Sequence, residues 1–336
     1  MAQYKAAVVG LGQIGLTYDL DPKRERPSSH TLAYELHPQI ELVAAADVSK
    51  AQGVVLNNLV PEVGFYQSLP ELLQNHAIDI ISICTPAVDH LPAIQYVLRN
   101  SATKIIFCEK PLVRSLEEAA ILKQQLTDSD CLLVPNLSRR WNNGMQRVKD
   151  EVSSGKYGEL QKVHVRYTRG IFNTGAHIFD LLQWWAGPID QVQVIGRVVT
   201  SADTDNDPSF TFAFRIGDNV TGFAEAFNDK QYYLFEIDLY FSQGKISIRN
   251  SGDDVSYYYV GEHHLFSGFN SLKLERQESK LLADANLANA VDNLVNVLAG
   301  IEQPRCTIDD SIDPLYIVHA LLRSYNNNFS QERAGR

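Results

Sequence analysis

The chain has 336 residues, 45% hydrophobic and 21% charged, with a formal net charge of -10. That length suits about two domains, and the composition suits a globular protein with a sizeable core. The acidic balance, with no Lys/Arg block, excludes the basic face that nucleic-acid binding needs, and no apolar run approaches the roughly 18 residues that cross a bilayer.

The first strand-like run, Tyr4 to Val9, has no charged and apolar leader before it. A cytoplasmic protein without a signal peptide is therefore expected. Apolar runs at Ala6–Val9, Leu42–Ala46, Ile78–Cys84, Lys104–Cys108 and Cys131–Pro135 alternate with helical patterns at Ser49–Leu56, Pro70–Gln74, Leu91–Leu98 and Ser115–Leu126. This alternation predicts an α/β Rossmann domain, a doubly wound parallel sheet, over residues 1–135. Cys84, Cys108, Cys131 and Cys306 are scattered without a CxxC pair and read as reduced packing residues.

The first strand runs into Gly10-Leu11-Gly12-Gln13-Ile14-Gly15, which is expected to open a helix. In such a loop the first glycine makes the turn, the second lets a pyrophosphate approach the backbone, and the third lets helix and strand pack closely. The helix N-terminus would add free N–H groups. Asp47 closes the second strand but lies 32 positions past Gly15, where about 20 is usual. The stretch 18–29 holds Asp21-Pro22, Arg26-Pro27 and Ser28-Ser29, which break a helix, and removing those 12 residues restores the spacing. Asp47 would then accept both adenosine ribose hydroxyls and repel a 2′-phosphate, favouring NAD over NADP. Two later strands end in Thr85-Pro86, followed by His90, and in Glu109-Lys110-Pro111. Carboxyl ends of parallel strands hold ligands, so both loops are expected at the nicotinamide half of the cofactor.

From about residue 160 the period becomes two. Lys162–Tyr167, Val192–Val199, Ser209–Ile216 and Tyr232–Phe241 read as long strands, and Leu287–Leu298 and Leu315–Tyr325 as helices. An α+β domain with a large, mainly antiparallel, open-faced sheet is expected over 136–336. Both faces of Tyr232–Phe241 carry large side chains, which points to an interface. Ile178, Leu181, Leu182 and Trp185 give a helix from about Thr174, with Asn173 and His177 on one face and Asp180 close to it. Arg139, Arg140, Arg166 and Arg169 suit a carboxylate or phosphate, or else ordinary ion pairs. His263-His264 lacks metal-ligand spacing, and no metal site is expected.

The glycine loop, Thr85-Pro86 with His90, and Glu109-Lys110-Pro111 resemble the Gfo/Idh/MocA oxidoreductases. The resemblance continues through Arg139-Arg140-Trp141, 154–160, the set Gly175, His177 and Asp180, and the tail around Pro304-Arg305-Cys306 and Asp309-Asp310-Ser311. It implies NAD or NADP, a sugar, polyol or nucleotide-sugar oxidised at a secondary alcohol, and a homodimer or homotetramer joined through the second sheet. It also implies that His177 is the acid/base and Lys110 its partner, with Arg139, Trp141, Arg169, Asn173 and Asp180 on the substrate side. Asn173 stands where active members carry Asp; it can hold a hydroxyl but cannot raise the imidazole pKa as a carboxylate would. Two other readings stay open: a non-catalytic NAD- or sugar-sensing regulator, and an NAD-dependent glycoside hydrolase.

Overall fold

A computed structural model describes residues 4–127 and 129–335; the outer domain limits expected at 1 and 336 fall outside them. The chain forms two compact units, residues 1–141 with 283–312, and 142–282 with 313–336.

The first unit runs β1 (Tyr4–Val9), α1 (His30–Glu35), β2 (Ile40–Ala46), α2 (Lys50–Leu59), β3 (Gly64–Tyr66), α3 (Leu69–Asn75), β4 (Ile80–Ile83), α4 (Ala87–Asn100), β5 (Ile105–Glu109), α5 (Leu116–Leu126) and β6 (Leu132–Asn136). The strands are parallel in the order β3-β2-β1-β4-β5-β6. Their interiors, such as Ala6–Val8 and Ile80–Ile83, are almost wholly buried, as strands covered on both faces require.

The second unit contains α6 (Asn143–Ser153), β7 (Leu160–Thr168), α7 (Ala176–Ala186), β8 (Ile189–Val198), β9 (Ser209–Ile216), β10 (Val220–Phe227), β11 (Phe235–Phe241), β12 (Gly244–Arg249), β13 (Asp254–Glu262) and β14 (Asn270–Glu278). After α8 (Asn286–Leu298) in the first unit, α9 (Ile308–Asn326) and β15 (Glu332–Arg333) end the chain. The nine strands are ordered β14-β13-β12-β11-β7-β10-β9-β8-β15. Among the described residues only β7 and β10 of this sheet pair in parallel.

One placement departs from the sequence pattern. Residues 283–312 belong to the first unit, whereas the change of period assigns them to the second. The reason is the apolar face of α8: Leu287, Ala290, Val291, Leu294 and Val295 share one core with Tyr34, Leu42 and Trp141. The strand expected at 232–241 is also shorter, and its second face is not apolar at the centre. There Arg166 and Arg249 each bind Glu236 and Asp238, and Lys245 and Ser247 complete the set around Asp238. Burial would raise the Asp238 carboxyl, but the Ser247 and Lys245 hydrogen bonds and the Lys245 and Arg249 charges hold it below its usual range.

The glycine loop does not open a continuous helix. Leu16 and Thr17 donate to Gly12 O, a short 3₁₀ turn follows at Thr17–Leu20, and the chain then leaves the surface of the sheet before α1 begins. Yet the helical pairing resumes across the gap. His30 N–H donates to Ile14 O at 3.0 Å and Thr31 N–H to Gly15 O at 3.1 Å. With the 12 residues 18–29 taken out, His30 and Thr31 would stand four positions after those carbonyls, as in an unbroken α-helix. Asp19, only 2% exposed, closes the neck of this excursion. Its two oxygens accept from Ser28 N–H, Ser28 Oγ and Ser29 N–H at 2.8, 3.2 and 2.8 Å. The Ser29 side chain in turn caps α1 at Leu32 N–H.

Asp19→Ala strands these donors at a buried neck. Unfolding in urea should show a loss of about 1–3 kcal/mol, the cost of unsatisfied buried donors; an unchanged midpoint would mean that the neck closes without the carboxylate.

Candidate active site

The glycine loop separates into residues the chain needs and one it does not. Gly10 has φ +92°, and a Cβ there would lie 2.6 Å from Cys84 C and Thr85 N. A Cβ on Gly15 would lie 1.9 Å from Gly10 O. A Cβ on Gly12 meets nothing within 4 Å. No atom of the protein demands glycine at position 12, so what it leaves bare is main chain for a ligand to approach. Beside it, among the described residues, the N–H groups of Gln13 and Ile14 meet no acceptor. A diphosphate fits these donors.

Asp47, half-buried at the end of β2, accepts from Leu11 N–H at 2.7 Å with one oxygen and from Ser49 N–H at 2.8 Å with the other. It therefore ties the glycine loop to β2. A carboxylate has about four acceptor positions, so two remain for a ribose diol. Just after β4, the Thr85 hydroxyl oxygen is buried without a partner, a second sign of a group that belongs against this end of the sheet. His90 has a different task from the one expected. It is buried, and its Nδ1 and Nε2 each lie 2.8 Å from a main-chain carbonyl, of Pro111 and Thr85. It staples the two loops together, and neither nitrogen is left for a cofactor.

Glu109 and Lys110 occupy the carboxyl end of β5, both half-buried. Glu109 Oε1 lies 3.0 Å from His30 Nε2 and accepts from Asn136 Nδ2 at 2.6 Å, while Oε2 accepts from Lys110 N–H at 3.3 Å. Burial alone would raise this carboxyl. The hydrogen bond and charge of His30, then Asn136 and the Lys110 charge, outweigh it and hold Glu109 below its usual range. Burial and then the Glu109 charge push the thiols of Cys84 and Cys108 well up. Behind Glu109 the polar contacts continue inward. His30 Nδ1 meets Ser82 Oγ at 2.8 Å, Ser82 Oγ meets Tyr34 OH at 2.7 Å, and Trp141 Nε1 donates to Asn136 Oδ1 at 2.9 Å.

Trp141 is thereby corrected from a substrate contact to a core residue. It is fully buried, its one donor is spent on Asn136, and its ring packs edge-on to Phe107. Two of the four arginines are likewise consumed by ion pairs: Arg140 is buried on Asp310 at 2.9 Å, and Arg166 sits in the cluster on the second sheet. In the excursion, the Arg24 guanidinium lies over the Tyr18 ring at 3.6 Å and Arg26 donates to Asp19 O.

In the second unit Arg169 is exposed with φ +69° and leads into a wide turn closed by Gly175 N–H on Gly170 O. Asn173 lies in this turn, half-buried, and His177 in the first turn of α7, so the single helix face expected for them is split between two geometries. Asp207 holds the turn by accepting from Phe172 and Asn173 N–H at 2.7 and 3.0 Å. Gly170 is required beneath it, since a Cβ there would lie 1.9 Å from that carboxyl group. Asp180 is buried on α7.

A family model for an oxidoreductase family with an NAD-binding Rossmann fold, GFO_IDH_MocA, matches residues 4–137. Among curated relatives, the myo-inositol 2-dehydrogenase of Thermotoga maritima is 22% identical over 59% of this chain and 60% of its own. The chain spans about half the length of the curated relatives it matches. Solved structures share the whole fold of both units. The WlbA dehydrogenase of Bordetella pertussis, in complex with NADH and UDP-GlcNAcA, superposes with TM-score 0.78 at 16% identity, over 99% of this chain and 98% of that one. The super-repressor mutant of Gal80p from Saccharomyces cerevisiae superposes with TM-score 0.79 at 14% identity, over the same shares. The fold therefore accommodates proteins of different kinds, and the site must decide the function.

His30, Asn136 and Asp207 are the site residues that sequence reasoning missed. Only Asn136 carried a signal, as the polar end of an apolar strand. Gly12→Ala gives the sharpest check on the loop. It should leave the melting temperature of the ligand-free protein unchanged and weaken NADH binding, read by fluorescence titration, whereas Gly15→Ala should fail to fold. Undiminished NADH affinity in Gly12→Ala would remove the loop as the diphosphate site.

Proposed function

We propose that this protein is an NAD-dependent dehydrogenase that moves a hydride between nicotinamide and a secondary alcohol of a sugar, polyol or nucleotide-sugar. The observation that carries the reading is Lys110, half-buried at the carboxyl end of a parallel strand two places from the glycine-loop strand and anchored through an ionised carboxylate. The relative named for myo-inositol and the neighbour holding UDP-GlcNAcA support a polyhydroxy substrate. A bound dinucleotide supplies the hydride acceptor. Gln13 and Ile14 hold its diphosphate, Asp47 its adenosine ribose, and Thr85 and Lys110 its nicotinamide half. Lys110 also steadies the negative charge that develops on the substrate oxygen. His177 takes the hydroxyl proton, as an imidazole titrating near neutrality can. Asn173 binds a neighbouring hydroxyl, and Arg169 gives an exposed guanidinium for an acidic substituent.

The test is turnover on a panel of polyols, sugar acids and nucleotide-sugars. His177→Ala should keep NADH binding, Lys110→Ala should weaken it, and both should lose about 10²–10⁴ in turnover, the worth of a general acid or base. Asp47 should make NADH bind more tightly than NADPH by about 1–3 kcal/mol. Near-wild-type turnover in His177→Ala would move the proton to another group. Asn173 favours a second reading, a cofactor-sensing regulator, which the same panel identifies by NADH binding without turnover by the wild-type protein.

We also infer that copies associate through the second sheet. The helices of that unit cover the face bearing Val163, Val165, Ile237 and Leu239. The opposite face presents the paired Arg166–Glu236–Asp238–Arg249 cluster, already neutralised internally and therefore cheaper to desolvate. Sedimentation at micromolar concentration should give at least twice the mass of one chain, and a monomer would count against the interface.

A further inference from the structure

We propose that His30 is a positioning residue for Lys110, delivered to the site by the 12-residue excursion in the first helix. This rests on the reading of Lys110 as the residue that holds substrate oxygen and nicotinamide ribose. The argument begins with placement. His30 is the first residue of α1, and its main chain is fixed by Ile14 O on one side and by the Asp19-clamped Ser28-Ser29 on the other. Its ring is 1% exposed, tilted against Phe107 at 4.8 Å between centroids, and has no freedom to turn toward solvent.

The hydrogen-bond directions then follow from donor and acceptor chemistry. An ionised Glu109 can only accept, so His30 Nε2 carries the proton at the 3.0 Å contact. His30 Nδ1 meets Ser82 Oγ at 2.8 Å, and Ser82 Oγ meets Tyr34 OH at 2.7 Å. From the other side Trp141 Nε1–H donates to Asn136 Oδ1, and Asn136 Nδ2–H donates to Glu109. Each of these donors has an acceptor, and both branches end on Glu109 Oε1. Oε2 is left to accept Lys110 N–H.

Such an arrangement does more than fill a core. A buried carboxylate with two donors on one oxygen has a single favourable orientation, so the main chain at Lys110 is aimed from within the sheet. Without the His30 N–H, Glu109 keeps only Asn136 on that oxygen, and Ser82 loses its imidazole partner. The lysine ammonium is then carried by a less defined strand end, and small displacements at a reacting group are costly. Tyr34, buried at the inner end, stays protonated because burial pushes its phenol up. The chain therefore ends in the core and orients rather than conducts.

Two polar substitutions separate orientation from simple packing. His30→Gln places an amide N–H where Nε2 stands and can still reach Glu109. His30→Asn is one bond shorter and reaches Ser82 only. The readouts are kcat and KM, and the affinities for NADH and for ADP-ribose, which lacks the nicotinamide ring. His30→Asn should lower kcat by roughly 10–100-fold, weaken NADH, and leave ADP-ribose unchanged, while His30→Gln stays close to wild type. Equal behaviour of the two variants, or wild-type values for His30→Asn in both readouts, overturns the proposal. A wild-type protein that binds NADH but turns over no alcohol sinks the dehydrogenase reading alone, because the comparison of NADH with ADP-ribose still reports on Lys110. A wild-type protein that binds no NADH overturns both.

Discussion

The hydrogen bond from His30 N–H to Ile14 O is the joint on which the first unit turns. It rejoins a helix that has been interrupted, and so keeps α1 in register with the glycine loop despite the residues thrown out between them. Without that joint the loop would lose the helix whose Thr31 N–H donates to Gly15 O. The same joint sets the imidazole beneath the end of β5. One backbone contact thus couples the cofactor loop to the strand carrying Lys110.

The buried polar chain behind Glu109 shows how a parallel sheet can hold a charge at its edge. Five side chains, from Tyr34 and Ser82 through His30 and from Trp141 through Asn136, lead toward one carboxylate. Unsatisfied, each would cost more than an apolar replacement, and satisfied together they enforce one arrangement. The second unit uses a comparable device on its sheet face, where two arginines and a lysine surround Asp238. There the donors are Arg and Lys N–H groups and the Ser247 hydroxyl, and the carboxylates only accept.

Much of the first unit was legible because its signals are local. Five apolar runs marked β1, β2, β4, β5 and β6, and the Pro and Ser pairs in 18–29 betrayed the excursion closely enough to recover the spacing to Asp47. What escaped were facts of tertiary origin. The apolar face of α8 announces a helix but not which core it joins, so residues 283–312 could not be assigned from period alone. Trp141 reads as a cleft aromatic beside two arginines, and only packing against Phe107 reveals it as core. His30 carries no pattern at all, since its partners Ser82 and Glu109 lie 52 and 79 positions away. In the second unit period two found β7, β8, β9 and β11, while β14 was passed over because its charged residues outweigh Leu272 and Leu274. The turn around Asn173 is wide because Asp207 pulls two N–H groups toward itself, a contact across 34 and 35 positions that no helical template includes.

The excursion at 18–29 has a consequence for how such a protein can diversify. Because the helix pairs across its neck as though nothing intervened, the segment is a detachable appendage whose length is uncoupled from the register of the scaffold. Natural variants could lengthen, shorten or exchange its outer part, and an engineer could graft a foreign loop between Asp19 and Ser28, without rephasing any strand behind it. The segment is rooted beside the glycine loop. Variation in this surface segment and conservatism in the scaffold can therefore be inherited separately.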